Sequence, residues 1–230
     1  GDKGFRGVIV QVFKQMSDVY ADGERVYAQA GALLSKTAAV ACEASLTGME
    51  FASGIPGTLG GALRMNAGAY GGEMKQIVES AEVLTSEGEV LNLTNEELGM
   101  GYRTSVIAKN DYVALSAVLK LEKGDRQEIR AYMEDLKERR VTKQPLEFGS
   151  AGSTFKRPEG YFAGKLIQYS GMQGYRVGDA QVSEKHCGFV INRGNATAAE
   201  VMQLMKDVAD RVEEKFGVRL EPEVRRIGEF

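Results

Sequence analysis

The chain has 230 residues, a formal net charge of −3, 43% hydrophobic and 27% charged residues, a composition that can fill one large or two small domains with a real core. The slight negative balance gives no general attraction to nucleic acid or an anionic membrane, so any phosphate must be held by a local site. No apolar run approaches the roughly 18–20 residues of a membrane span, the start "GDKGFRGVIVQVF" lacks a signal-peptide pattern, and two cysteines, Cys42 and Cys187, make no disulfide framework and point to a reducing cytoplasm.

Taken in chain order, the first half is rich in strand patterns and glycine turns. "VIVQVF" and "VYAQAG" alternate as strands do. An alanine-rich stretch, Leu33 to Leu46, is expected to be helical. "AEVLTSEGEVLNL" predicts a hairpin around Ser86, Glu87 and Gly88, and "DYVALSAVLKLE" a long strand. From Gly124 the pattern changes. Asp125 and Glu128 form a capping box, followed by Ile129, Tyr132, Met133 and Leu136 at helical spacing, with "RRVTKQP" just after that helix. "HCGFVIN" reads as a strand. Thr197 and Glu200 form a second capping box, Val201, Leu204, Met205, Val208, Val212 and Phe216 trace one helix face, and Gly217 stops it. The closing "LEPEVRRIGEF" is extended and charged. The second half therefore predicts a small α/β sandwich, with helices on one face of a sheet. Because residue 1 leads almost directly into a turn and a strand-like run, a further segment is expected upstream.

One stretch is out of the ordinary. "GMEFASGIPGTLGGALRMNAGAYGGE" carries eight glycines in its first 25 residues. A single Gly-Pro pair is usually a tight turn, but at this density glycine also lets backbone N–H groups approach a planar or anionic ligand with no Cβ in the way. There is no Walker lysine, and no Gly-x-Gly-x-x-Gly follows a strand, so neither common phosphate loop fits. Four other stretches stand out: "GYRTS" with Arg103, "RRVTKQP" with Arg140 and Lys143, "SAGSTFKRP" with Ser153, Lys156 and Arg157, and "LEPEVRR" with Glu223. Each alone has an ordinary reading as a surface ion pair, a turn or a solvated strand face. One histidine and two separated cysteines cannot supply a zinc set.

Together, in the order "SGIPGTLGGALRMNAGAYGGE", "GYRTS", "KQP", "AGSTFKRP", "KHCGFVIN" and "LEPEVR", these motifs closely resemble the UDP-N-acetylenolpyruvoylglucosamine reductases. The short interval from Arg103 to Ser153 resembles the compact, type II members, which lack an inserted loop bearing a substrate-contacting tyrosine. The resemblance implies an α+β protein. Residues 1–123, completed by 224–230, would be part of an FAD-binding domain of the vanillyl-alcohol-oxidase (PCMH) type. Residues 124–223 would form a small α/β sandwich that binds substrate. It further implies FAD and NADPH as cofactors, UDP-N-acetylglucosamine enolpyruvate as substrate, and a monomeric enzyme of peptidoglycan synthesis that engages neither nucleic acid nor membrane.

By the same resemblance Arg103, Ser153 and Glu223 are the catalytic residues. Arg103 and Glu223 hold the substrate carboxylate and stabilise its enol form, and Ser153 delivers the proton. A free serine is a poor acid, so Lys143 or Lys156 is expected to support it electrostatically. Gly54, Ile55, Pro56, Gly57, Gly60, Gly61, Asn66, Gly68 and Tyr70 fall where the family holds its flavin. Arg140, Lys143, Arg157 and His186 fall where it holds the UDP-sugar, which suits cations facing a diphosphate. For His186 a satisfied strand-end imidazole is an equal reading. Family members carry a Gly- and Asn-rich loop before this start that binds the FAD diphosphate, so this chain is expected to hold FAD weakly. Two alternatives stay open: another FAD-linked oxidoreductase of the same fold, and a flavin-free UDP-sugar-binding fragment without catalysis.

Overall fold

The computed structural model describes residues 1–230. In chain order its elements are β1 (Val19–Asp22), β2 (Arg25–Gln29), α1 (Leu34–Glu43), β3 (Leu46–Thr47), α2 (Leu59–Met65), β4 (Gly68–Ala69), β5 (Gly72–Glu73), β6 (Val78–Leu84), β7 (Val90–Thr94), α3 (Val106–Lys109), β8 (Val113–Lys120), β9 (Glu122–Lys123), α4 (Arg126–Lys143), β10 (Gly149–Ser153), α5 (Ala163–Tyr169), β11 (Arg176–Val177), β12 (Ala180–Val182), β13 (Phe189–Asn192) and α6 (Ala198–Phe216). The chain divides into two compact units, one of residues 9–140 and one of residues 1–8 with 141–230.

The larger unit is built on a five-stranded antiparallel sheet in the order β1-β2-β8-β6-β7. Along β2 the side chains alternate, and Val26 and Ala28 point into the core, as a half-buried strand requires. The helices α1 and α2 supply Leu34, Ala38, Ala41, Leu59 and Leu63 to the same core. The hairpin expected around Ser86 to Gly88 is present: the Thr85 amide donates to the Glu89 carbonyl at 2.9 Å, and Gly88 turns the chain at φ +86°. By contrast "VIVQVF" is not a strand. Val8, Ile9 and Val10 are 90%, 72% and 82% exposed and lie in no sheet. Alternation alone does not make a strand, which exists only where a neighbour takes up its N–H and C=O groups.

The smaller unit has a four-stranded antiparallel sheet, β10-β13-β12-β11, covered by α5 and α6. The α6 capping box closes as expected, with the Glu200 amide donating to Thr197 Oγ1 at 3.1 Å and the Thr197 amide to Glu200 Oε2 at 2.9 Å. Gly217 ends the helix in the left-handed region at φ +67°. Leu204, Val208 and Val212 on its inner face are fully buried, each worth about 1.5–3 kcal/mol of apolar transfer.

The division falls at Arg140, and two local features accompany it. Helix α4 is tied to α1, where Glu43 pairs with both Arg126 and Arg130, and Met133 packs against the larger core. The closing residues 224–230 pair with the opening ones inside the smaller unit: the Lys3 amide donates to the Glu229 carbonyl at 3.1 Å, and the Glu229 amide to the Gly4 carbonyl at 2.8 Å. Asp2 caps α6, accepting from the amides of Ala198 and Ala199, which hold its carboxyl below the usual range. Helix α4 also runs on through Lys143, so Arg140 and Lys143 lie in its last turn instead of after it.

Candidate active site

In the larger unit the glycine stretch is stitched to the end of β2. Gly60 and Leu59 donate to the carbonyls of Ala30 and Ala32, both at 2.8 Å, and Leu34 donates to Gly57 at 3.1 Å. Its glycines are there for different reasons. A Cβ on Gly60 would stand 3.0 Å from the Ala30 Cβ, one on Gly68 2.7 Å from the Gly72 carbonyl, and one on Gly72 2.5 Å from the Phe51 ring. Those three positions are demanded by the protein itself. A Cβ on Gly57 would meet nothing within 4 Å, and one on Gly61 only Thr58 Oγ1 at 3.9 Å. Gly57 follows Ile55 and the exposed Pro56. These two glycines leave room for a ligand that their packing neighbours do not use.

Strands β4 and β5 form a hairpin whose two turn residues, Tyr70 and Gly71, both have positive φ (+54° and +90°). That is the geometry a tight two-residue hairpin favours, and it is unusual for a tyrosine. The Tyr70 ring, 40% exposed, lies 6.0 Å from the Arg140 guanidinium. Arg140 also fills the space at Gly54, with its Nε 3.0 Å from where a Cβ would stand. That Nε is buried and has no hydrogen-bond partner in the protein. Leaving such a donor unmet costs about 1–3 kcal/mol or more for a charged group, so it is a group that a bound acceptor would complete. Open backbone at Gly57, an outward tyrosine and an unmet guanidinium donor fit a large planar cofactor with acceptor atoms.

Asn66 is different. It caps α2 at φ +44° and is 1% exposed. Its Nδ2 donates to Glu73 Oε2 and to the Gly101 carbonyl, both at 3.1 Å, and its Oδ1 accepts the Lys75 amide at 2.9 Å. Its side chain is spent inside the protein, so only its backbone can face a ligand. Gly101 opens the turn that carries Arg103. Gly101 and Thr104 exchange two backbone hydrogen bonds, at 3.0 and 3.2 Å, and Arg103 sits between them in the left-handed region at φ +54°. That conformation costs about 1–2 kcal/mol for most residues other than glycine and asparagine. An arginine held where glycine would be cheaper marks the side chain as what matters there. Its guanidinium carbon lies 5.1 Å from the Tyr102 ring centroid.

In the smaller unit Ser153 ends β10, exposed, after a register shift and Gly152 at φ +83°. The next residue, Thr154, is buried and ties its strand to two other segments. Its amide donates to the Gly188 carbonyl at 2.8 Å, its Oγ1 accepts the Val190 amide at 3.0 Å, and its carbonyl accepts the Glu223 amide at 2.8 Å. Phe155 bridges Pro222, and the Lys156 amide donates to the Glu221 carbonyl at 2.9 Å. The C-terminal segment thus adds itself alongside residues 154–156, which sets the backbone of Glu223 against Thr154, the residue after Ser153. Arg103 belongs to the other unit. Lys156 Nζ is paired with Glu221 Oε2 at 3.0 Å, which offsets the charge expected to support Ser153. Lys143 is exposed at the end of α4.

Arg157 lies 4.0 Å over the Phe162 ring and donates to the Tyr161 carbonyl at 3.3 Å. His186 Nδ1 accepts the Gly188 amide at 3.1 Å, and the ring stands edge-on to Phe189 with centroids 5.0 Å apart. Desolvation pushes its pKa below 6.5, so the imidazole is neutral near pH 7 and, with Nδ1 accepting, carries its proton on Nε2. The strand-end reading accounts for Nδ1; Nε2 remains a donor. The contacts of Asn66 to Glu73 and Gly101, and of Arg140 to Gly54 and Tyr70, were not part of the sequence reading. The Glu73–Gln76 spacing, which forms a capping box, was the one local signal for the first.

Comparison with known proteins agrees with this geometry. A family model described as FAD binding domain matches residues 1–94, and one described as UDP-N-acetylenolpyruvoylglucosamine reductase, C-terminal domain, matches residues 144–227. A UDP-N-acetylenolpyruvoylglucosamine reductase of Agathobacter rectalis is 53% identical over 100% of this chain and 77% of its own length. That of Alkaliphilus oremlandii is 59% identical over 99% of this chain and 75% of its own. A crystal structure of the corresponding reductase from Thermus caldophilus superposes with a TM-score of 0.76 at 38% identity, covering 86% of this chain and 71% of that one. Fold and matches together define an FAD-dependent oxidoreductase. The chain belongs to the UDP-N-acetylenolpyruvoylglucosamine reductase family.

Proposed function

We propose that the chain carries out its family's reaction through Arg103, Ser153 and Glu223. The reaction is the NADPH-dependent, FAD-mediated reduction of UDP-N-acetylglucosamine enolpyruvate to UDP-N-acetylmuramate, a step of peptidoglycan precursor synthesis. FAD, when bound, supplies the two-electron chemistry that takes a hydride from NADPH and gives it to the vinyl carbon of the substrate. The protein's part is to manage the charge and the proton. Negative charge then grows on the neighbouring carbon and its carboxylate, and a fixed cation aimed there lowers the barrier. Arg103, presented on a tight turn, has that role. Ser153 gives a proton to the same carbon, and Glu223 orients the carboxylate from the neighbouring strand.

The observation that supports this reading is the pairing of the C-terminal segment with residues 154–156, in which the Glu223 amide is bonded to the carbonyl of Thr154, the residue after Ser153. The unit of residues 9–140 is read as the flavin unit, held through the backbone of Gly54, Ile55, Pro56, Gly57, Gly60, Gly61, Asn66 and Gly68 and the ring of Tyr70. The unit of residues 141–230 with 1–8 is read as the substrate unit. Arg140, Lys143, Arg157 and His186 are the groups for the UDP-sugar. The excess of acidic over basic residues suits an enzyme that engages no nucleic acid or anionic membrane, and two free cysteines suit the cytoplasm. We read it as a monomer. No helix is long and apolar enough to cross a membrane. The test is NADPH oxidation by the FAD-loaded chain. Oxidation that depends on the enolpyruvyl nucleotide supports the reading. A yellow protein that oxidises NADPH equally without it favours another flavin oxidoreductase, and a colourless, inactive protein that binds the nucleotide favours a binding fragment.

A further inference from the structure

Asn66 fell among residues expected to touch the cofactor, yet every hydrogen-bonding group of its side chain is engaged within the protein. What it joins is informative. Through Nδ2 it bonds the Glu73 carboxylate, at the start of the turn after β5, and the Gly101 carbonyl, at the start of the Arg103 turn. Through Oδ1 it holds the Lys75 amide. From the other side, Ser105 Oγ donates to the Arg64 carbonyl at 2.9 Å, two residues before Asn66 in the last turn of α2. The Gly101–Thr104 turn is thus hung from α2 and its C-cap by two side-chain bonds, one at each end. Between those bonds sits a non-glycine residue in the left-handed region, a conformation that persists only where its surroundings over-determine it.

We infer that Asn66 is a positioning residue, which acts through the Gly101 carbonyl to hold the strained Arg103 turn in register with the flavin-facing segment 66–76. The inference rests on the reading of Arg103 as the cation for the substrate carboxylate. It makes Asn66 a link between the segment facing the cofactor and the residue facing the substrate. The left-handed backbone at Asn66 follows from the same need: asparagine is among the few residues besides glycine that take it readily, and glycine has no amide to reach Gly101.

The discriminating substitution is Asn66→Asp. It keeps the shape, the tolerance for positive φ and the acceptor for Lys75; it removes the two N–H donors and sets a carboxylate against Glu73 and the Gly101 carbonyl. Amide hydrogen exchange of the chain without ligand reads the structural half. Exchange at Gly101 and Thr104 should accelerate by about tenfold or more as local opening becomes easier. The double substitution Asn66→Asp with Glu73→Gln restores a donor between positions 66 and 73 but none to Gly101. It should return protection to residues 66–76 and leave the 101–104 turn fast. Asn66→Gly, which keeps the backbone conformation, serves the same end if Asn66→Asp does not fold. In the FAD-loaded chain, oxidation of the cofactor by substrate should slow about 10- to 100-fold, as expected when a reacting group is misplaced by around 1 Å, and by more than reduction by NADPH slows. Adding Arg103→Ala should make Asn66→Asp no slower than Arg103→Ala alone. Unchanged exchange at Gly101 and Thr104, or equal slowing of both half-reactions, overturns the inference. An Arg103→Ala protein with normal substrate turnover overturns the reading of Arg103 itself, whatever the exchange data show.

Discussion

The Glu223 amide donates to the Thr154 carbonyl at 2.8 Å, and through that bond the end of the chain becomes a neighbour of Ser153. Thr154 is 2% exposed, and its hydroxyl accepts the Val190 amide at 3.0 Å from the opposite side. One buried threonine therefore fixes the strand that ends at Ser153 between β13 and the segment bearing Glu223.

Thr154→Val keeps the shape and removes the acceptor, so the buried Val190 amide goes unmet. The protein should lose about 1–3 kcal/mol of stability, read from chemical denaturation, and Thr154→Ser should recover most of it. Substrate turnover should fall in the valine variant at temperatures where it remains folded.

Two glycines of the same stretch should answer differently to alanine. At Gly68 the new methyl would stand 2.7 Å from the Gly72 carbonyl, and Gly68→Ala should cost about 1–3 kcal/mol from overpacking. At Gly57 nothing lies within 4 Å and φ is not in the left-handed region. Gly57→Ala should be neutral or up to about 1 kcal/mol more stable, yet release FAD more readily on gel filtration. Loss of stability at Gly57 with normal flavin retention would reassign it to packing.

Arg103 pays a backbone cost for its position. Replacing it with glycine relieves the left-handed strain, while alanine keeps it. Arg103→Gly should be more stable than Arg103→Ala by about 0.5–1 kcal/mol, with both variants failing in substrate turnover. Thermal unfolding of the pair measures the first, and NADPH oxidation in the presence of substrate the second.

How far the sequence could be read varies along the chain for physical reasons. Helix α6 was legible from Thr197 to Gly217 because its cap, apolar face and stop are local. The hairpin at Ser86 to Gly88 was legible for the same reason. "VIVQVF" misled because a strand needs a partner that its own residues do not specify. The last turn of α4 was missed because Arg140, Val141, Thr142 and Lys143 carry no breaker; Pro145 comes two residues later. Arg103, Ser153 and Glu223 were named only by their motifs. That Glu223 lies beside Thr154, or that Asn66 reaches Gly101 at a separation of 35 residues, depends on chain folding that no local pattern encodes. The glycines were read as one set, although backbone and side chains of the protein itself exclude a Cβ at Gly60, Gly68 and Gly72.

The single histidine offers a clean pH signal. Burial lowers the pKa of His186 below its usual 6.5, so the unfolded chain takes up a proton before the folded one does. Its contribution to stability is full above pH 6.5 and is lost as the pH falls from there through the folded pKa. Denaturation between pH 7 and 5 should show this loss, and His186→Gln should flatten it. The Hε1 resonance of this one imidazole in a proton NMR titration should move with a midpoint below 6.5; a midpoint above it would mean that an anionic partner governs the ring.

The central claim is that Ser153 delivers a proton to substrate and takes no part in the reaction with NADPH. The most direct measurement is stopped-flow absorbance of the FAD-loaded Ser153→Ala protein, following each half-reaction separately. Near-normal bleaching by NADPH is expected, with a return of colour with the enolpyruvyl nucleotide that is slower by about 10²–10⁴-fold, the range of general acid catalysis. Return of colour at the unmodified rate would contradict it, and equal slowing of both phases would show that Ser153 instead positions the cofactor.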